Sequence, residues 1–307
     1  MGEILEKVGQ ADGARERYTL SLRLDPAHPR AKDAQAALVR LGPPKPKEQG
    51  ADLSELHVAL LPFTPADERA LEKALPRVRK ALRVTLDLLP PPPEPLLTPD
   101  RLVREGQYDA GKLVEVVALC KAKDPNAASL FVGVTGEDIA TDSTSFLFAQ
   151  ATEPCAVLSR ARFRNEFYGL PPNAKRAAKR LSIQVVTSTA RAMGLPSCSN
   201  PGCALAYPGS LEEFDKKSGT LCPDCLNLFE AYGFLRLGKP AECEKRLAAR
   251  VVQHPRDAVA WYRLAKVRQG LGDRKGAAEA ASKASGLCPK DPAPRKILEE
   301  VQDKPGE

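Results

Sequence analysis

The sequence predicts an α/β domain with a mixed sheet, set between all-α helical hairpins at the two ends of the chain. Three observations carry that reading. Gly and Pro recur after 34 residues, from Gly238 to Gly272 and from Pro255 to Pro289, and a period of that length belongs to a repeated helical hairpin. Between about residues 52 and 226, short apolar and β-branched runs alternate with amphipathic helical stretches. Four cysteines in two close pairs end that middle region. The expected division is helices over 1–42, a linker over 43–51, the α/β domain with its cysteine site over 52–226, and helical repeats over 227–303.

Composition narrows the function classes. At 43% hydrophobic and 28% charged residues the chain reads as an ordinary globular protein. Its 28 prolines cluster, so they mark linkers and helix boundaries rather than general disorder. The net charge of +7 permits acidic partners without demanding them. No run approaches 18 apolar residues, and "MGEILEKVGQADGARERYTL" has no apolar core of signal-peptide length. The expectation is a cytoplasmic protein with no membrane contact. In a reducing compartment its eight cysteines serve as thiols or metal ligands rather than disulfides.

Taken in order, "GQADGARERYTLSLRLDP" repeats the Gly-to-Pro interval of the C-terminal units and precedes the apolar-periodic "RAKDAQAALVRL". The linker "GPPKPKEQG" follows. "LHVALLPF" is a strand, "PADERALEKALPRVRKAL" an amphipathic helix, and "VTLDLL" a strand entering the stiff run "PPPPEP". "QYDAGKLVEVVALCKAK" reads as a helix; "SLFVGV", "SFLFAQA" and "CAVLSRARF" read as strands. A long helix runs from about Asn173 to Met193, stopped by Gly194 and Pro196. Near the C-terminus Trp261, Leu264, Ala265, Ala277, Ala284 and Pro289 stand at the spacing of the tetratricopeptide repeat, which these units resemble. That resemblance implies a protein-binding surface. Arg263 and Lys266 give it a basic bias that suits an acidic protein or peptide segment.

Cys198 and Cys203 are separated by four residues, Cys222 and Cys225 by two, with 18 between the pairs. Two short-range pairs can supply four thiolates to one zinc ion in a closed tetrahedral site. Such a site has no open coordination position, so it holds structure and does no catalysis. The basic residues Lys175, Arg176, Lys179, Arg180, Arg160, Arg162 and Arg164 lack interleaved aromatics, so nucleic acid is not the expected partner.

The succession "QYDAGKLVEVV", "LFVGVTGEDIATDSTSFLFAQA", "AVLSRARFRNEFYG", a helix ending in "MGLP" and "CSNPGCALAYPGSLEEFDKKSGTLCPDC" resembles the archaemetzincins. The resemblance implies a metzincin-like zinc-binding fold with one catalytic and one four-cysteine zinc. The family's helix carries HExxHxxGxxHC, with zinc-binding histidines and a glutamate base. Alignment on Gly194 and Cys198 puts the ligand positions at Thr187, Arg191 and Ser197 and the base at Ser188. Leu205 stands where the family has a methionine beneath the metal. A guanidinium has no free lone pair and a hydroxyl binds zinc weakly. From those positions the chain is expected to be a catalytically inactive protein-interaction module, not an enzyme; the alternatives are an active zinc metallopeptidase and a basic nucleic-acid-binding protein. In metzincin-like folds the substrate lies along an edge strand, whose nearest match is "SFLFAQA", and Arg191 could pair with a carboxylate there.

Overall fold

A computed structural model describes Tyr18 and residues 31–41, 52–124 and 128–302. The helical expectations over 1–30 and the linker at 43–51 lie outside the described residues, apart from Tyr18. The described chain divides into two units, Met1–Ala51 and Asp52–Glu307. In the first, helix α1, Ala31–Leu41, has Ala34 and Ala37 buried.

The second unit is built on a five-stranded mixed sheet of order β2-β1-β5-β8-β7. Its strands are β1 (Leu53–Pro62), β2 (Val84–Leu88), β5 (Leu130–Thr135), β7 (Ala149–Thr152) and β8 (Cys155–Ser159). The first four in spatial order run parallel, and β7 is antiparallel at the end. A sheet with helices on both faces needs apolar residues on both, which is why β5 and β8 are buried throughout. Ala59, Leu61, Phe131, Cys155 and Val157 pack on Leu113, Val114 and Val117 of helix α3 (Ala110–Ala122). Helix α2, Pro65–Leu82, and helix α4, Ala174–Ala192, pack on each other, and α4 packs on β5, β8 and β7.

Local signals set the helix ends. Thr64 caps α2 by accepting from the Asp67 N–H, with Pro65 in the first turn. Asn173 caps α4 through the Arg176 N–H. Gly194 follows α4 with φ +93°, a conformation glycine adopts without strain.

Three expectations change: of "CAVLSRARF" only Cys155–Ser159 is a strand, and Ala161–Phe163 forms a 3-10 turn. "QYD" is not the start of the helix but a strand, β4 (Gln107–Asp109), pairing with β3 (Leu102–Arg104) and β6 (Asp138–Ala140) in a second small sheet. "SFLFAQA" contributes only its end to β7. Upstream the Leu147 N–H turns to the Ile139 carbonyl, and the Phe148 ring stacks 5.2 Å from Phe163.

Beyond the sheet come α5 (Leu211–Lys216) and then α6 (Pro223–Arg236), α7 (Pro240–Gln253), α8 (Ala258–Gly270), α9 (Arg274–Leu287) and α10 (Ala293–Gln302). From α6 onward each packs on the next. Small buried residues, Ala260, Ala265, Ala277, Ala280, Ala281 and Ala284, let α8 and α9 approach closely. The array is tied to the sheet: α6 packs on β1, Arg236 and Arg263 both reach Glu153, and Lys239 reaches Glu55.

Candidate functional site

Cys198, Cys203, Cys222 and Cys225 converge, with every sulfur within 4.8 Å of the others. Four sulfurs at about 2.3 Å from a tetrahedral zinc stand about 3.8 Å apart, and the Cys198 and Cys222 sulfurs are 3.7 Å apart. Two tight turns aim them. The Asn200 N–H points at the Cys198 sulfur and the Cys222 N–H at the Cys203 sulfur, at 3.4 and 3.3 Å. Backbone donors of this kind hold a thiolate as charge. Without a cation the four thiols cannot all ionise. A hydrogen bond from Cys225 pulls the Cys203 thiol down to about 5, while that same interaction raises Cys225, and burial raises Cys222. A divalent soft-tolerant ion resolves this conflict, so the donor set fits zinc. Cys225 lies in the first turn of α6, so the metal also anchors the helical array.

Beside this centre lies a cavity of about 860 Å³ between the β7 edge and α4, closed by the chain over Leu205 to Leu211. The sequence-predicted positions Thr187, Ser188 and Arg191 all line it. Thr187 turns its hydroxyl to the carbonyls of Ile183 and Ala204 at 2.9 and 2.7 Å. Ser188, only 1% exposed, accepts from the Gln184 amide at 3.3 Å. The Arg191 guanidinium donates to the Leu195 carbonyl and to the Ser197 hydroxyl. Ligand helix and third position are thus joined by a guanidinium–hydroxyl contact, with Leu205 buried and lining the same cavity. These side chains do not fit a second zinc ion. No histidine replaces them among the described residues: His57 meets Asp87 at 2.8 Å and His254 meets Asp224 at 3.3 Å.

One cavity residue was missed in the sequence. Lys217, 3% exposed, sends its ammonium to the Ala204 carbonyl at 2.9 Å and over the Phe214 ring at 4.9 Å. Burial pushes it down to about 8. Nothing in "DKK" distinguishes it from its exposed neighbour Lys216.

The basic residues are mostly spent inside the fold. Arg160 pairs with Asp67, Arg162 with Asp138 and Arg180 with Asp215. Arg263, expected to face a partner, pairs with Glu153 at 3.1 Å and stacks over Tyr232, because α8 turns this face toward the β7–β8 corner. Lys266 is exposed near the Tyr262 ring.

Residues 103–231 match the family described as Peptidase family M54. Over 111 residues the chain is 32% identical to the Archaemetzincin of Methanocaldococcus jannaschii, covering 36% of this chain and 62% of that protein. Over 119 residues it is 29% identical to the Archaemetzincin of Sulfolobus acidocaldarius, covering 39% and 66%. The chain thus spans less than two thirds of the length of these curated relatives. Among solved structures it is similar to the Archaemetzincin of Methanopyrus kandleri, with TM-score 0.47, 23% identity, and coverage of 58% of this chain and 94% of that one. The middle of the chain carries an archaemetzincin-like domain, and its four-cysteine cluster could hold a zinc ion. The expectation that the chain is not an enzyme is corrected by the same findings, which point to a peptidase. That expectation weighed Thr187, Ser188 and Arg191 on α4 with Ser197 and Leu205 beyond it, whereas the match extends from β3 into α6.

Proposed function

We propose that this chain is a peptidase of the archaemetzincin type whose substrate is an extended polypeptide held between β7 and α4. The observation that carries the reading is the cavity itself. It adjoins the edge strand of a five-stranded sheet, and β7 has a hydrogen-bonded neighbour, β8, on one side. An extended peptide can add to such an edge through its backbone, while side-chain pockets give selectivity. The peptidase class is supported by the family match rather than by a metal-binding triad. Thr187, Arg191 and Ser197 do not fit a second metal.

The zinc held by the four cysteines would supply no chemistry to the substrate, only rigidity. It would fix the loop over Leu205 and Ala206, which forms a wall of the cavity. The Arg191–Ser197 contact would hold the end of α4 against the same loop. Among the described residues no helix is long and apolar enough to cross a membrane. Four paired thiolates are best kept for zinc in a reducing compartment, which supports a cytoplasmic location.

The test is a mixed peptide library incubated with the zinc-loaded full chain, scored both for retained peptides and for cleavage products by mass spectrometry. Retention together with new termini is the expected outcome. Retention without any cleavage sinks the peptidase class; no retention sinks the assignment of the groove.

A second reading concerns the helical array, as a tetratricopeptide-like binder of protein segments. It is supported by a surface between α7, α8 and α9 lined by Val252, Trp261 and Lys283, with Val252 81% exposed.

A further inference from the structure

The groove holds two cations that no acid meets. Elsewhere in the same unit many buried or half-buried guanidiniums meet an acid, Arg162 with Asp138, Arg180 with Asp215, Arg236 with Glu153 and Arg268 with Glu244, while Arg101 and Arg164 donate to carbonyls. Arg191 and Lys217 follow the latter. Arg191 donates to a carbonyl and a hydroxyl, both neutral, and Lys217 donates to a carbonyl. Neither forms an ion pair among the described residues, and no Asp or Glu lines the cavity that both of them face. Burying cations costs free energy unless something offsets them. The negative charge nearest them is on the thiolates, Cys203 for Lys217 and Cys225 for Arg191, and no carboxylate reaches either from the cavity.

We propose that Arg191 and Lys217 form a carboxylate-binding subsite, so that the peptides held in the groove are anionic ones. This rests on the groove reading above. The planar fork of Arg191 can present two N–H groups to both oxygens of a carboxylate, and Lys217 supplies a compact charge in the same cavity. Ser188 and Gln184 give the floor further polar groups, while Leu205 and Phe148 bound it with apolar surface. In such partly desolvated surroundings a charge-assisted contact gains strength relative to water. A peptide can bring the carboxylate from its C-terminus or from an Asp or Glu side chain.

The experiment uses the zinc-loaded full chain and a fluorescein-labelled peptide in four forms, with a free or an amidated C-terminus and with Glu or Gln at one internal position. Binding is read by fluorescence anisotropy. At least one of the two carboxylates is expected to tighten binding about tenfold over the fully neutral form, as one charge-assisted contact should. Whichever source does so is the ligand. Arg191→Gln is expected to abolish that preference with zinc content unchanged. Lys217→Gln is expected to weaken the preference; should that buried substitution prevent folding, Arg191→Gln decides alone. A neutral peptide that binds as tightly as the charged ones overturns the proposal, and so does a preference that survives Arg191→Gln. Loss of zinc from a folded Lys217→Gln protein with its carboxylate preference intact also overturns it, since Lys217 then serves the thiolates alone. If none of the four forms binds, the groove reading itself has failed; if all bind equally, only the carboxylate subsite has.

Discussion

Cys222 directly precedes α6, and its sulfur closes the tetrahedron with Cys198. Replacing it by serine keeps the volume and removes one thiolate. Because structural zinc binding is folding free energy, Cys222→Ser should lower stability by at least about 3 kcal/mol and reduce the bound metal. Thermal unfolding with metal analysis checks this; a variant holding its zinc with an unchanged midpoint contradicts it. Gly133 illustrates a steric demand at the same scale. A Cβ there would lie 2.5 Å from Val117 Cγ2 of α3 and 2.8 Å from the Phe63 ring, both in the core between the sheet and α3. Gly133→Ala should therefore cost about 1–3 kcal/mol through overpacking, read from the denaturant midpoint. A neutral result would mean that α3 can shift.

Arg180 shows how two elements are joined. It lies on α4 at 5% exposure and donates from Nε and Nη2 to the two Asp215 oxygens of α5 at 2.7 Å each. Asp215 is held below its ordinary value of 3.8, first by that hydrogen bond. A depressed carboxylate contributes its stability above the unfolded value and loses it as pH falls through the folded one. Asp215→Ala should thus destabilise the protein by about 2–4 kcal/mol at neutral pH, since it strands a buried guanidinium. The gap to the wild type should narrow as pH drops below about 4. Stability curves of both proteins against pH test it, and a pH-independent gap would place the effect in packing instead.

Across the whole unit, Glu153 in the β7–β8 turn accepts from Arg236 of α6 at 2.6 Å and from Arg263 of α8 at 3.1 Å. Together with zinc at the start of α6, this joins the helical array to the sheet. Glu153→Ala should cost about 1–2 kcal/mol, discounted because the carboxylate is 40% exposed, and should raise hydrogen exchange in α6 and α8 before the sheet. Purified protein should carry one zinc per chain, and its removal by a strong chelator should loosen both the 198–225 segment and α6. Two tightly held ions would contradict the reading of Thr187, Arg191 and Ser197.

Features that depend on neighbours along the chain were legible in the residues alone. Apolar period and caps set α2 and α4, and the cysteine spacing set the metal centre, because two turns suffice to aim each pair. The three-residue strands β3, β4 and β6 are too short to show a period, so they were not legible. "SFLFAQA" carried strand-forming residues, but Leu147 bridges Ile139 of the small sheet while the Phe148 carbonyl accepts from the Ser159 N–H, so only its end runs in the large one. Only the tertiary structure decided which charges are paired. Arg263 and Arg191 look alike as letters, yet one meets Glu153, which lies 110 residues away along the chain, and the other faces a cavity without acids. Pairing is a property of distance in space, and folding brings those partners together or leaves them apart.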